Sequence, residues 1–120
     1  MTPAQIVAAA RVLVVRADGS AAQVWPRVGA FLARQALEES LAALWHRSTT
    51  MHSVLGRSMR TQLTCLRFTV PDDLARDVAA TWAALSRVCH YHPYELAPTA
   101  AELDGWFVAV DRLVTRLGEH

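Results

Sequence analysis

Hydrophobic side chains recur along this chain at intervals of three and four residues, the spacing that places them on one face of an α-helix. No stretch shows the alternating pattern typical of a half-buried strand. Two apolar faces are clearest: Leu74, Val78, Trp82, Leu85 and Cys89, and then Leu103, Trp106, Phe107, Val110, Leu113, Val114 and Leu117. An earlier face is longer and less regular, and consists of Val24, Val28, Phe31, Leu37, Leu41, Leu44 and Trp45. The pattern predicts an all-α protein.

Three capping boxes mark where helices begin, because in such a box the first and fourth residues bond each other's backbone N–H groups. Their sequences are Thr2-Pro3-Ala4-Gln5, Ser20-Ala21-Ala22-Gln23 and Thr99-Ala100-Ala101-Glu102. The first predicts a helix over 3–16, and the second predicts one reaching about His46, with Pro26 either kinking or restarting it. The third predicts a last helix closed by Gly118.

Between these helices the chain predicts a polar connection over 47–56 and a shorter helix over 58–68. A further helix should start at Pro71 and end near His90 or Tyr91, because Pro93 disfavours helical geometry at His92. Residues 1–120 are long enough for one domain. We therefore expect a single up-and-down bundle of four main helices with a short fifth helix.

Composition restricts the environment in which the protein acts. Hydrophobic residues make up 52% of the chain, but no uninterrupted apolar run is long enough to cross a membrane. The first residues lack the basic region and apolar run of a secretory signal, so the sequence predicts a cytoplasmic protein without membrane association. Cys65 and Cys89 are then expected to be reduced thiols.

The charge distribution is more informative than the net charge of +1, since all twelve basic residues are arginine. No acidic residue lies between Glu39 and Asp72, and that segment carries a local charge of about +4 from Arg47, Arg57, Arg60 and Arg67. These four arginines are either a solvated face balanced by acids on neighbouring helices or a surface that faces the phosphates of RNA.

The strongest candidate for chemistry is the octapeptide 87–94, Arg87-Val88-Cys89-His90-Tyr91-His92-Pro93-Tyr94. Arg87 offers a planar guanidinium for phosphate, His92 titrates near neutral pH, and Tyr94 adds a hydroxyl donor. Since Pro93 stops the helix, His92 can fold back over the last turn towards Arg87. His90 shares a helix face with Arg87 and is a rival partner.

The spacing Arg87-x4-His92-x-Tyr94 resembles the R-x4-H-x-Y signature of HEPN domains, in particular of toxins paired with a nucleotidyltransferase antitoxin. The resemblance implies a helical bundle that forms a homodimer, with the two motifs in a shared cleft before the last helix. It also implies cleavage of RNA without a metal or cofactor. His92 would be the general acid or base, Arg87 would stabilise charge on the phosphate, and Tyr94 would accept AMP from the antitoxin.

A non-catalytic interpretation stays open beside this one. Val88 follows Arg87, where the family often has Asn or Asp, so the chain is alternatively a HEPN-like bundle that binds a protein or a nucleotide. In that case Arg87 pairs with Glu95 or Glu102, while His92 and Tyr94 cap the end of the bundle.

A zinc site is a third interpretation, and the spacing favours it least. Cys89, His90 and His92 lie close together, with Cys65 and His46 as outside ligands, but there is no second pair at zinc-ligand spacing. Cys89 also falls on an apolar helix face, where a free thiol packs as a small hydrophobe. We therefore predict no metal site.

Overall fold

The structure is a computed structural model that describes residues 1–16, 25–90 and 98–120. These residues form five α-helices and one turn of 3-10 helix, and they contain no strand, which confirms the all-α class. The helices are α1 (Pro3–Arg16), α2 (Trp25–Arg47), α3 (Met59–Leu66), α4 (Asp72–Cys89) and α5 (Ala100–Gly118), and the 3-10 turn is His52–Val54. No helix within the described ranges combines the length and apolar character that crossing a bilayer requires.

Two of the three predicted capping boxes are present. The Thr2 hydroxyl accepts from the Gln5 backbone N–H at 3.2 Å, and Gln5 Oε1 accepts from the Thr2 backbone N–H at 2.8 Å. Thr99 and Glu102 make the same reciprocal pair at 3.1 and 3.2 Å. Each box satisfies backbone donors that have no partner inside the helix, and so determines where α1 and α5 begin. The third box, 20–23, lies outside the described residues.

The other helix boundaries also agree with the pattern. Pro26 lies in the first turn of α2, where its missing N–H costs little. Ser58 caps α3 by accepting from the Thr61 backbone N–H at 3.3 Å. The last helical residue of α4 is Cys89, one position before the predicted end. The four longer helices have 14, 23, 18 and 19 residues and α3 has eight, as expected for four main helices and a short fifth.

Helix α2 is the centre of the fold and packs against α1, α4 and α5. Its second half lies in one cluster of buried side chains with α3, the first half of α4 and the end of α5: Leu37, Leu41, Leu44, Trp45, Val54, Leu66, Val70, Leu74, Ala75, Val78, Leu113 and Leu117. Its first half lies in a second cluster with α1, the end of α4 and the start of α5: Ile6, Val7, Ala10, Ala30, Ala33, Ala36, Leu85, Leu103, Phe107 and Val110. The buried alanines of α2 let α1 approach its backbone closely.

One position of the predicted α2 face was wrong. The side chain of Phe31 is 48% exposed, although its spacing placed it with the buried leucines. Its ring lies under the Arg34 guanidinium, 5.5 Å from carbon to centroid. Its neighbours Ala30 and Ala33 are fully buried in the second cluster, whereas Phe31 points to solvent beside the arginine.

Polar contacts join the helix ends. Arg116 Nη2 at the end of α5 lies 3.1 Å from Asp73 Oδ2 at the start of α4. Arg47 Nη2 at the end of α2 donates to the Leu117 carbonyl of α5 at 3.0 Å. The starts and ends of three helices are therefore held at one end of the molecule.

We predict that Phe107→Ala lowers the free energy of unfolding by about 3–5 kcal/mol, because the ring is fully buried and its removal leaves a cavity. Val108→Ala on the same helix should change it by less than about 0.5 kcal/mol, because Val108 is exposed. Urea unfolding of both variants is the measurement. Equal losses would contradict the placement of the second cluster.

We also predict an acid-dependent contribution from Asp73. The hydrogen bond from Arg116 is the main cause that holds the pKa of Asp73 below its usual value of 3.8. A depressed carboxyl pKa stabilises the fold above the unfolded-state pKa, and this stabilisation is lost as pH falls through the folded-state value. Asp73→Asn should therefore lower the melting temperature at pH 7 and weaken its fall on acidification. Asp77→Asn, at an exposed position on the same helix, is the control, and identical pH profiles for the two would refute the assignment.

Candidate functional site

Arg87 lies on the exposed surface of α4, two residues before that helix ends. His90 follows the helix in an extended conformation, with φ −76° and ψ 127°, and is exposed. The chain therefore leaves helical geometry inside the candidate motif, as Pro93 predicts. His92 and Tyr94, together with Glu95, fall in the range 91–97, outside the described residues.

The described surroundings leave the charge of Arg87 without an ion-pair partner. Among residues 1–16, 25–90 and 98–120, the ion pairs do not include Arg87. Glu102, one of the two acids considered as its partner, instead accepts from the Thr99 backbone N–H within the capping box. Of the two pairings that would make Arg87 a structural cap, the one with Glu102 is not formed.

The end of α4 is held by Arg27, a residue that the sequence did not single out. Arg27 Nη1 donates to the carbonyl oxygens of Val88 and His90, both at 2.9 Å. A cation at a helix C-terminus also interacts favourably with the helix dipole. No local pattern could have revealed this contact, because 61 positions separate Arg27 from Val88.

A second set of contacts joins α2 to α4 one to two turns earlier. Glu38 Oε1 accepts from the Trp82 indole N–H at 3.0 Å and lies 3.6 Å from Arg34 Nε. Arg34 Nη1 is 3.5 Å from the Ser86 hydroxyl. The indole is thus orientated by a charged acceptor, and α4 is tied to α2 along the half of the helix that leads to Arg87.

An open groove of about 850 Å³ lies between α3 and α4. Its polar lining consists of Arg60, Thr64, Arg67, Asp72 and Arg76. Its apolar lining consists of Leu63, Ala75, Ala79, Trp82 and Ala83. Three arginines against one aspartate give the lining a net positive charge at neutral pH, and the alanines leave room beside the α4 backbone.

The groove and Arg87 share one face of α4. Arg76, Ala79, Ala83 and Arg87 are separated by three, four and four residues, which places them on one side of an α-helix. Arg87 is one turn beyond Ala83, and roughly 16 Å along the helix axis from Arg76. The groove therefore leads along α4 towards the candidate motif.

The four arginines predicted to face RNA do not lie together. Arg60 and Arg67 line the groove. Arg57 is exposed in the turn before α3, and Arg47 binds the end of α5, so neither belongs to the groove lining. Arg76 does line the groove, but the sequence did not indicate it. The aspartates at the start of α4 offset its charge when the net charge of that segment is summed. Its helical spacing from Arg87 was the available signal.

The described residues considered as zinc ligands do not come together in one site, and His92 lies outside the described residues. Cys65 packs against one buried cluster and Cys89 against the other. His46 contacts the His52 ring at 5.7 Å near the end of α2, which is ~34 Å long, whereas Cys89 lies near its start. Burial raises the pKa of the Cys89 thiol and so favours the neutral form over the thiolate that zinc binds. Within the described ranges no three metal-ligating side chains form a cluster.

Comparison of the chain with models of protein families, with curated proteins and with solved structures finds no match. The resemblance to HEPN domains rests on the Arg87-x4-His92-x-Tyr94 spacing.

We predict that Arg27→Gln lowers the free energy of unfolding by about 1.5–3 kcal/mol, the range for hydrogen bonds that involve a charged group. Amide hydrogen exchange should accelerate at Cys89 and His90, because the last turn of α4 loses its cap. Arg112→Gln, at an exposed position of α5, is the matched control. Unchanged protection at the end of α4 in Arg27→Gln would show that the cap is dispensable.

Proposed function

We propose that the protein is a HEPN-like ribonuclease, of the kind that acts as a toxin, whose four main helices form an up-and-down bundle. The contacts between helix ends support that arrangement. Arg116 joins the end of α5 to the start of α4, and Arg27 joins the start of α2 to the end of α4. Helix α4 therefore runs antiparallel to both α2 and α5, as alternating directions require.

The observation that carries the proposal is the state of Arg87. Its side chain is exposed at the point where α4 ends, and no described carboxylate neutralises it. A guanidinium in this state is suited to a phosphate, which it can bind through two parallel N–H donors. The last turn that carries it is held by Arg27, so the backbone from which Arg87 projects is fixed by contacts within the fold.

The proposed reaction uses the ribose 2′-hydroxyl as nucleophile. His92 takes the proton of that hydroxyl as a general base, and the 2′-oxygen forms a bond to phosphorus while the bond to the 5′-oxygen breaks. The leaving 5′-oxygen takes a proton from a second imidazole, supplied by the other copy in a homodimer. Arg87 stabilises the additional negative charge on the phosphate oxygens in the transition state. The reaction needs neither a metal nor a cofactor.

The same resemblance suggests how the activity of the protein would be regulated. A nucleotidyltransferase antitoxin would transfer AMP to Tyr94, next to the catalytic pair, and the bulky charged group would block access of RNA. The proposed compartment is the cytoplasm, where RNA and the antitoxin are both available.

A second candidate function is binding without catalysis, and one observation favours it. The Val88 side chain is half-buried against the second cluster, and its carbonyl accepts from Arg27. The position after Arg87 therefore belongs to the core rather than to a polar network around the site. The chain would then be a HEPN-like module that binds a protein or a nucleotide.

We predict that His92→Ala reduces RNA cleavage by the purified protein about 10²–10⁴-fold, the contribution typical of acid–base groups. Arg87→Ala should reduce it about 10²–10³-fold, the loss typical of removing one donor that stabilises transition-state charge. Both should also relieve growth inhibition in cells that express the protein. Arg112→Ala, an exposed arginine on α5, should keep full activity, and excess EDTA should leave cleavage unchanged. Harmless expression of the unaltered protein, together with no cleavage of RNA by it, would favour the binding module.

A further inference from the structure

We propose that the α3–α4 groove holds a single strand of RNA, with phosphates at Arg60, Arg67 and Arg76 and a base stacked on Phe68. The choice of RNA as the polymer rests on the proposed function. The location of the site rests on the groove itself. Neither Arg76 nor Phe68 was among the candidate residues that the sequence predicted.

Charge is the first argument. Arg60 lies in α3, and Arg67 is the residue directly after it and keeps helical φ and ψ. The seven positions between them are two helical turns, which places both side chains on one side of the helix. Arg76 faces them from α4 across the groove. Three guanidiniums on two facing helices match a chain of phosphates better than one compact anion, because their charges are spread along the groove. Asp72 is the only acid among the described residues that line the groove.

The exposed aromatic ring of Phe68 is the second argument. Phe68 is 75% exposed, whereas Phe31, the other described aromatic residue with a large exposed surface, is 48% exposed. It directly follows Arg67, whose guanidinium lies 5.7 Å from the centroid of the ring. Aromatic rings and arginines side by side are the usual platform on which proteins stack the bases of single strands.

The apolar floor of the groove is the third argument, and it favours a single strand over a duplex. Ala75, Ala79 and Ala83 form an apolar surface next to the Trp82 ring, which is held in place by Glu38. The faces of unstacked bases can pack against such a floor. In a duplex the base faces are hidden inside the helix. The groove is open to solvent, so a strand can reach its lining.

The groove also points towards the proposed catalytic residue. Arg76, Ala83 and Arg87 lie on one face of α4, so a strand in the groove would run along that face to Arg87. Binding along the groove would deliver a phosphodiester to the end of α4. The α3–α4 groove would thus bind the RNA, and the residues of the octapeptide 87–94 would cleave it.

The test measures binding separately from cleavage. A fluorescein-labelled 12-nucleotide oligouridine with 2′-O-methyl groups cannot be cleaved through a 2′-hydroxyl, and its binding to the full chain is followed by fluorescence polarisation. We expect Arg76→Gln to weaken binding about tenfold and to make the dependence of log affinity on log salt concentration shallower by ~0.7. Phe68→Ala should weaken binding by about tenfold with an unchanged salt dependence, because it removes stacking and no charge.

Matched controls use exposed residues away from the groove, namely Arg112→Gln for the arginine and Val108→Ala for the phenylalanine, and both should bind as the unaltered protein does. Asp72→Asn should bind more tightly, because it removes the acid from the lining. Thermal unfolding of each variant checks that it is folded. If Arg76→Gln is not folded, Arg60→Gln takes its place, because it also removes one charge from the lining.

Three results would overturn the proposal. These are binding that is unaffected by Arg76→Gln and Phe68→Ala, preference for a blunt RNA duplex of equal length, or binding of ADP or oligoglutamate in the groove with no binding of the oligouridine. The proposed function fails by a different result. If the groove variants lose binding while the unaltered protein leaves ordinary RNA uncut, the groove proposal stands and the ribonuclease proposal does not.

Discussion

The fold depends on the burial of α2 on several sides at once. A helix of 23 residues that contacts α1, α4 and α5 cannot have a single apolar stripe, and its composition changes along its length to suit its neighbours. Alanines of the first half lie in the cluster that includes residues of α1, and leucines with Trp45 in the second half lie in the cluster that includes a residue of α3. Removing large buried side chains from either half would leave cavities that the neighbouring helices could fill only partly.

Because α2 is central, its remaining polar side chains determine where α4 lies. Arg27 holds the end of α4 through two carbonyl groups, and Glu38 orientates Trp82 two turns earlier. The candidate residue Arg87 therefore projects from a helix that is fastened to the core along the half that carries it.

Helix α3 has a different relation to the core. It has eight residues, it contacts α4 and the 3-10 turn, and among its own residues only Leu66 is fully buried. A short helix that packs through so few side chains leaves a gap against α4, and that gap is the α3–α4 groove. The exposed Phe68 and Arg67 lie at the end of α3, where the chain turns towards α4.

The sequence by itself determined the helices. Capping boxes at Thr2 and Thr99, prolines in first turns and periodic leucines act over one or two turns, so they can be read without knowing the fold. It also identified Arg60, Arg67 and Arg87 as candidates from local charge and spacing. Only the tertiary structure decided which of them share a surface, since the meeting of α3 with α4 adds Arg76 and leaves out Arg47 and Arg57. The cap by Arg27 and the exposure of Phe31 and Phe68 likewise depend on contacts between residues far apart in the chain, and no local period encodes those contacts.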